Sequence, residues 1–542
     1  MKPVRYTKTL VNKYLREGFW TNDTIESFWE KNAALFPEKE AIVDSTRRLT
    51  WRQAKDEIDI LAAGSVAMGI ARDEVVVGQV ANIIESVTLR LAMEKAGVLY
   101  LPGVLSWRED EIEHIFRTLK AKAAVIPWSY DGVNFGDMYG NLKSRLPDLK
   151  KLIYWDDKAP PDALTLAKMT VKNHLKLLAE VKKRTFSSVE TSSINATSGT
   201  TGLPKLVESV SAATVLFGKV VAARLKITRE DIVASIGPVH WGPGVGAVYS
   251  GAAQHAAKIV LLEKFNPEEA LDLIEREKVT VAAGSTAQLI AMVRSPAFKK
   301  EKLASLRTFY WAGAPLPYPI VQEVEGKTSC LLTSAYGAMD AGYFACSGVD
   351  DSGLVRSLTV GKPLDGNECV IVNTRGKKVP GGETGEIWFR GACCFPGYYR
   401  DEEAVKRGWG VRGVRGWYRT GDVGQMDSEG NLRVLGRIKD VINVEGKPVY
   451  PAEIENTLLA HQDVYNVAVV SLPRGEGAVP LAYVIPKPGR DFTFDKMSAY
   501  LREQGMADYK IPHRLEIKKN FPMSGDGLKV SKKDLEEQAK KQ

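Results

Sequence analysis

Short β-branched, apolar runs alternate with amphipathic stretches through most of the chain. "DIVASIGPV", "KIVLLEKF", "NPEEALDLIEREKV", "TVAAGST" and "LRTFYWAGAP" follow one another in that order. Apolar runs of this length, separated by helix-length amphipathic segments, predict parallel strands joined by crossover helices. The helix starting at Asn266 carries its own punctuation. Asn266 is a cap, Pro267 sits in the first turn, Glu268 and Glu269 face the positive end of the helix dipole, and Ala270, Leu271 and Ile274 share one face.

From about Gly353 the pattern shortens to "VGKPLDGNECVIV", "GETGEIWFRG", "GYYRD", "GWYRTGDVG" and "DSEGNLRVLGR". Frequent Gly and Asp between short alternating runs predict a β-rich subdomain over about 353–438. Beyond it come a helix at "YPAEIENTLLA", strands at "VYNVAVVSLP" and "PLAYVIPK", and a helix near "DKMSAYLREQG". The expectation is an α/β protein in two parts. A large N-terminal domain, 1–438, has parallel-type sheets with crossover helices, and a small α+β domain, 439–542, follows it.

Bulk composition narrows the classes. A chain of 542 residues is too long for one ordinary core. Its formal charge of +8 is spread without a long single-sign block, which suits a small anionic ligand and not a nucleic-acid partner. The 5 cysteines, Cys330, Cys346, Cys369, Cys393 and Cys394, show no CxxC spacing, so neither a disulfide framework nor a zinc site is expected. No run approaches the ~20 apolar residues of a membrane span or the core of a signal peptide. A cytoplasmic protein with no membrane partner is expected, as monomer or homodimer.

The most distinctive run is "INATSGTTGLPK", Ile194 to Lys205. By composition alone it is an ordinary Ser/Thr/Gly turn. Its small residues would also let consecutive N–H groups turn inward as an anion nest, with hydroxyls from Thr197, Ser198, Thr200 and Thr201 and a charge from Lys205. It does not fit GxxxxGK[ST], because two residues separate Gly199 from Gly202 and Pro204 precedes the lysine.

"TSGTTGLPK" resembles the phosphate loop of the adenylate-forming superfamily, which includes acyl-CoA synthetases, adenylation domains and luciferases. Further resemblances follow in the family's order: "GAP" at Gly313–Pro315, "AYGAMDAG" from Ala335, "GETGEIWFRG" from Gly382, "YRTGDVG" from Tyr418, "GRIKDVINVEGKPVYPAEIE" from Gly436, and "PMSGDGLKVSKKDL" from Pro522. The resemblance implies two steps. A carboxylate attacks the α-phosphate of ATP to give an acyl-adenylate and pyrophosphate, and a thiol, here that of CoA, then displaces AMP.

The resemblance also implies a place for each residue. Thr197, Ser198, Gly199, Thr200, Thr201, Gly202 and Lys205 would hold the β- and γ-phosphates. Tyr336 would stack on adenine, with Gly313, Ala314 and Pro315 on the purine's other side and Ala335, Gly337, Ala338 and Met339 nearby. Asp422 and Arg437 would bind the ribose. Asp340 stands where the family usually has a glutamate that helps hold Mg2+. Met339 replaces a threonine, so one hydroxyl contact is lost; aryl-acid ligases tend to have alanine there. His240, Trp241, Gly242 and Gly337 would line the acyl pocket, with His240 as its gate beside the reaction. Lys439 falls at the hinge about which the small domain rotates. Glu445, Gly446 and Lys447 would meet the pantetheine arm.

In the last motif Pro522 and Gly527 keep the family spacing, but Leu528 occupies the place of the catalytic lysine. Treating Leu528 as an insertion restores the register and points to Lys529, with Lys532 as the alternative. Small residues and aromatics around "GPVHWGPG" and "YGAMDAGYF" favour an aryl, cyclic or short branched acid. Two other readings stay open: a ligase that loads a separate carrier protein, and a degenerate, non-catalytic nucleotide binder. A kinase-like NTPase is the remote third.

Overall fold

The computed structural model describes residues 6–169, 174–197, 203–314, 316, 318–409, 416–475, 477–522 and 530–540. Two sheets with parallel centres, one of nine strands and one of six, dominate the chain to about residue 350. In the larger, Ile232–Ser235, Lys258–Leu261, Val281–Ser285, Thr308–Ala312 and the start of Leu331–Ala338 run parallel. In the smaller, Val75–Gln79, Leu99–Gly103, Ala123–Ile126 and Lys151–Tyr154 do the same. Strands covered on both faces must be apolar throughout, and every residue of Val75–Gln79 and Val281–Ser285 is buried.

The crossover helix predicted from Asn266 lies where the periodicity placed it. Pro267–Glu277 links two parallel strands, and Oδ1 of Asn266 accepts hydrogen bonds from the amides of Glu268 and Glu269. A four-stranded antiparallel sheet follows, built from Asn367–Val372, Gly385–Gly391, Tyr418–Met426 and Leu432–Arg437. Beyond it Val464–Arg474, Gly477–Pro486 and Arg514–Ile517 form a three-stranded sheet, with Pro451–Leu459 and Phe494–Glu503 as helices.

Two local expectations are corrected. "GYYRD" is not a strand: Gly397 and Arg400 have φ of 121° and 52°, which breaks an extended run, and only Tyr398 bridges to Val207. The region after Gly353 also holds two helices. Gly353–Leu358 is capped by the Ser352 hydroxyl, and Glu402–Trp409 directly follows the broken run. Among the described residues no helix is long and apolar enough to cross a membrane.

Candidate active site

Ligands of parallel sheets gather at the carboxyl ends of the strands. Thr308–Ala312 and Leu331–Ala338 are parallel neighbours, with Trp311 opposite Ser334, so Gly313 and Ala314 leave the sheet beside Ala335 and Tyr336. Ile232–Ser235 belongs to the same sheet and ends toward the same edge, carrying Gly237 to Gly242. Two "family" strings and the "HWG" string, far apart in sequence, thus emerge at one edge.

Gly313 has φ of 116°, and a Cβ there would lie 3.5 Å from the indole of Trp241. The Ala314 carbonyl accepts from the Thr286 hydroxyl at 2.6 Å, which fixes the turn. Gly337 sits opposite Tyr343 in a tight hairpin, where a Cβ would meet the Gly342 carbonyl at 2.7 Å; a side chain has no room.

Asp422, on the antiparallel sheet, joins this edge. Its Oδ2 accepts from the Tyr336 hydroxyl at 2.5 Å, and its Oδ1 lies 3.0 Å from Nε of Arg437, the residue paired with it across the sheet. Burial first, and the Asp422 carboxylate second, push the Tyr336 phenol well above its ordinary value, so it is a donor at any physiological pH. The arginine stays exposed while the acid is buried, and an exposed cation beside a buried acceptor is suited to a polyhydroxylated ligand.

Asp340 lies in the hairpin turn after Ala338, next to Met339 and Ala341. The Tyr398 hydroxyl donates to its Oδ2 at 2.8 Å, and Nζ of Lys205 stands 3.9 Å from the same oxygen. Lys205 also lies over the Tyr398 ring at 5.5 Å. Lys205 and Thr197 are partners across an antiparallel pair, so both ends of the glycine loop are held at one place, with Asp340 against its basic end. Ser198, Gly199, Thr200, Thr201, Gly202, Pro315 and Lys529 lie outside the described residues.

His240 is half-buried and held at both nitrogens. Nε2 donates to the Ser86 carbonyl at 2.8 Å, leaving Nδ1 to accept from Nη1 of Arg90 at 3.1 Å. Burial first and the Arg90 guanidinium second push the ring down to about 3, against the Ser86 carbonyl. A ring with both nitrogens engaged and no proton to gain near neutrality acts by position. The folded pKa lies below the ordinary 6.5, so the unfolded chain takes up the extra proton first, and stability falls as pH drops from 6.5 toward about 3. His240→Asn is expected to flatten the slope of Tm against pH between 6.5 and about 5 relative to the parent protein; an unchanged slope would mean that the folded ring protonates normally.

In the C-terminal part Lys439 is exposed in the turn Ile438–Asp440. Glu445 and Gly446, with φ of 52° and 81°, make the tight turn between Ile442–Val444 and Lys447–Val449. Two positive φ values in succession are the signature of a two-residue hairpin, which puts Glu445, Gly446 and Lys447 on an exposed tip. Sequence reasoning did not single out Tyr398 or Arg90. Tyr398 lies in a broken "strand", and Arg90 in a helix whose pattern looks like plain core. A basic residue inside the apolar run "TLRLAMEKAGV" is the signal that was there to find.

A family model described as "AMP-binding enzyme" matches residues 29–399, and one described as "AMP-binding enzyme C-terminal domain" matches residues 453–528. The chain is 30% identical over 97% of its length to a 2,3-dihydroxybenzoate-AMP ligase of Bacillus subtilis (strain 168), covering 96% of that protein. It is 27% identical over 95% of its length to a medium-chain fatty-acid–CoA ligase of Escherichia coli (strain K12), covering 90% of it. Among solved structures, the anthranilate CoA ligase AuaEII in complex with anthranoyl-AMP superposes with a TM-score of 0.85 at 23% identity, covering 96% of this chain and 98% of that one.

Proposed function

We propose, because the chain belongs to the AMP-binding enzyme family, that it is an AMP-forming ligase that joins a small aryl, cyclic or short branched carboxylate to the thiol of CoA. The observation that carries this reading is the gathering of Gly313 and Ala314, Tyr336, and the Asp422–Arg437 pair at one strand edge, with Trp241 against Gly313. A purine on the Tyr336 ring would bring its ribose hydroxyls toward Asp422 and Arg437. Its phosphates would then extend toward Lys205, Thr197 and the rest of the glycine loop, 198–202.

Asp340 would hold a magnesium ion, which would supply positive charge near the phosphates. It is a single hard carboxylate oriented by Tyr398, and magnesium at phosphates commonly takes only one or two protein carboxylates. Trp241, Gly242, Gly337 and the fixed ring of His240 would shape the acyl pocket. In this reading residues 439–542 form a domain that turns about Lys439, so that Lys529 serves adenylation and the tip at Glu445, Gly446 and Lys447 serves thioester formation.

The test is carboxylate-dependent exchange of labelled pyrophosphate into ATP over aromatic, alicyclic and short branched acids, followed by product analysis with CoA. AMP, pyrophosphate and an acyl-CoA are expected. ADP and phosphate would point to a kinase-like reaction. An acyl-adenylate that CoA does not consume would move the acceptor to a carrier protein, and no exchange over the whole panel would leave a nucleotide binder without catalysis.

A further inference from the structure

Arg90 lies on Ile84–Lys95, a helix buried at every position but Glu85. Only 5% of the residue is exposed. Its Nη1 meets Nδ1 of His240, and its guanidinium lies 4.4 Å from the centre of the Tyr249 ring. Nε is buried with no hydrogen-bond partner, and so is the hydroxyl of Tyr249. Glu94, one turn further along the helix, accepts hydrogen bonds from Ser211 and Ser192, and the Arg90 guanidinium acts on it only through space, against the rise that burial causes. Among the described residues no carboxylate forms an ion pair with Arg90. The edge of the guanidinium that carries Nε and Nη2 is therefore an unfilled fork.

This fork stands behind the acyl segment. His240 turns its ring to Arg90, while Trp241, the next residue, lies against Gly313 at the nucleotide edge. Tyr249 belongs to the π-helix Gly244–Ala252 that continues from the same segment, and π-helical turns recur at functional sites. A Cβ on Gly246 of that helix would strike the Phe217 ring at 2.6 Å, and Phe217 stacks at 3.7 Å on Tyr343, the partner of Gly337. Aromatic walls thus run from the nucleotide edge to a buried cation.

A buried donor without an acceptor is costly, and the cost is relieved when an anion with matching geometry arrives. Nε–H and Nη2–H of arginine point side by side and match the two oxygens of a carboxylate. Resting on the ligase reading above, we propose that the far end of the acyl pocket is a carboxylate subsite formed by Arg90 and Tyr249, and that the acid activated here is a dicarboxylate with a ring or short carbon frame between its two acid groups. One carboxylate reacts at the phosphate. The other is received by Nε and Nη2 of Arg90, with the Tyr249 hydroxyl as a further donor, while Phe217 and Tyr343 cover the carbon frame. A monoacid of the same shape leaves the fork empty, and such mismatches in a buried polar site discriminate strongly.

The experiment compares matched pairs: cyclohexanecarboxylate with its 1,4-dicarboxylate, benzoate with the three benzenedicarboxylates, and butyrate with glutarate. Pyrophosphate exchange gives kcat/KM for each acid, and calorimetry without ATP gives binding. In at least one pair the diacid is expected to be favoured about a hundredfold, and Arg90→Met is expected to lower that diacid-to-monoacid ratio by about the same factor. Tyr249→Phe, which removes only a hydroxyl, is expected to lower it about tenfold and serves if Arg90→Met does not fold. A ratio at or below one in every pair, or a ratio unmoved by both substitutions, overturns the subsite. Diacid binding that depends on Arg90 without any exchange would uphold the subsite and sink the ligase reading. Brisk exchange with monoacids, indifferent to Arg90, would do the reverse.

Discussion

Lys529→Ala is expected to lower carboxylate-dependent pyrophosphate exchange about a thousandfold while leaving thioester formation from a supplied acyl-adenylate within a few-fold of the parent. Adenylation brings two anions together, and like unit charges ~4 Å apart repel by about 4 kcal/mol at an effective dielectric near 20, a factor of roughly a thousand in rate. A lysine placed at the α-phosphate offsets that repulsion as a point charge, without proton transfer. The second step displaces AMP with a thiol and, on the rotating-domain reading, takes place after the lysine segment has left the site.

The surrounding residues say which lysine to change. The amide of Ser531 donates to the Pro522 carbonyl at 2.8 Å, so the two ends of the segment are tied together. Phe521 and Leu535 share a small core with Tyr483, against which Val530 packs. Lys532, the alternative, is engaged in its own domain: its Nζ lies 2.6 Å from Glu455. Lys532→Ala is the control, expected to change exchange less than about threefold, because a partly exposed pair contributes little to stability and nothing at the phosphate. Equal loss of both half-reactions in Lys529→Ala, or a larger loss in Lys532→Ala, would reassign the lysine.

Asp422→Ala is expected to reduce kcat/KM for ATP in the exchange reaction by about a hundredfold to a thousandfold, mostly through KM. The side chain does two things. It would accept hydrogen bonds from the ribose, each worth roughly 1.5–3 kcal/mol when the acceptor is charged, and it holds Tyr336 and Arg437 in place through bonds of 2.5 and 3.0 Å. Without the carboxylate the phenol loses its acceptor and the arginine its anchor, so the ring on which adenine would stack is no longer fixed. Tyr336→Phe separates the two effects, since it keeps the ring and frees Asp422. A loss of less than about tenfold is expected there. A KM for ATP unchanged in Asp422→Ala would remove this residue from the nucleotide site.

Much of the architecture was legible locally. The helix from Asn266 is specified by a cap, a proline and an apolar face within a dozen residues, and no distant contact can override so consistent a signal. The parallel strands read correctly because burial on both faces demands continuous apolar runs. "GYYRD" misled because two aromatics suggest a strand, whereas the backbone turns to positive φ at Gly397 and Arg400 and the residues from Gly397 to Tyr399 reach Lys205–Val210, far upstream. The motif strings located Asp340 and Asp422 without indicating Tyr398 or Tyr336 as their donors.

The sequence alone determined the family and the α/β class, because these depend on local period, turn chemistry and residue order. Charge states and partnerships were decided only by the tertiary structure. His240 is neutral and locked because Arg90, 150 positions away, faces it and the Ser86 carbonyl holds its other nitrogen. Tyr336 and Asp422, 86 positions apart, become one unit only when the large sheet meets the antiparallel one. An arginine in an apolar helix is an oddity in the sequence. Once folding removes water and leaves its Nε without an acceptor, it carries an unmet hydrogen bond, because desolvation and partnership are properties of the packed interior and not of any window of residues.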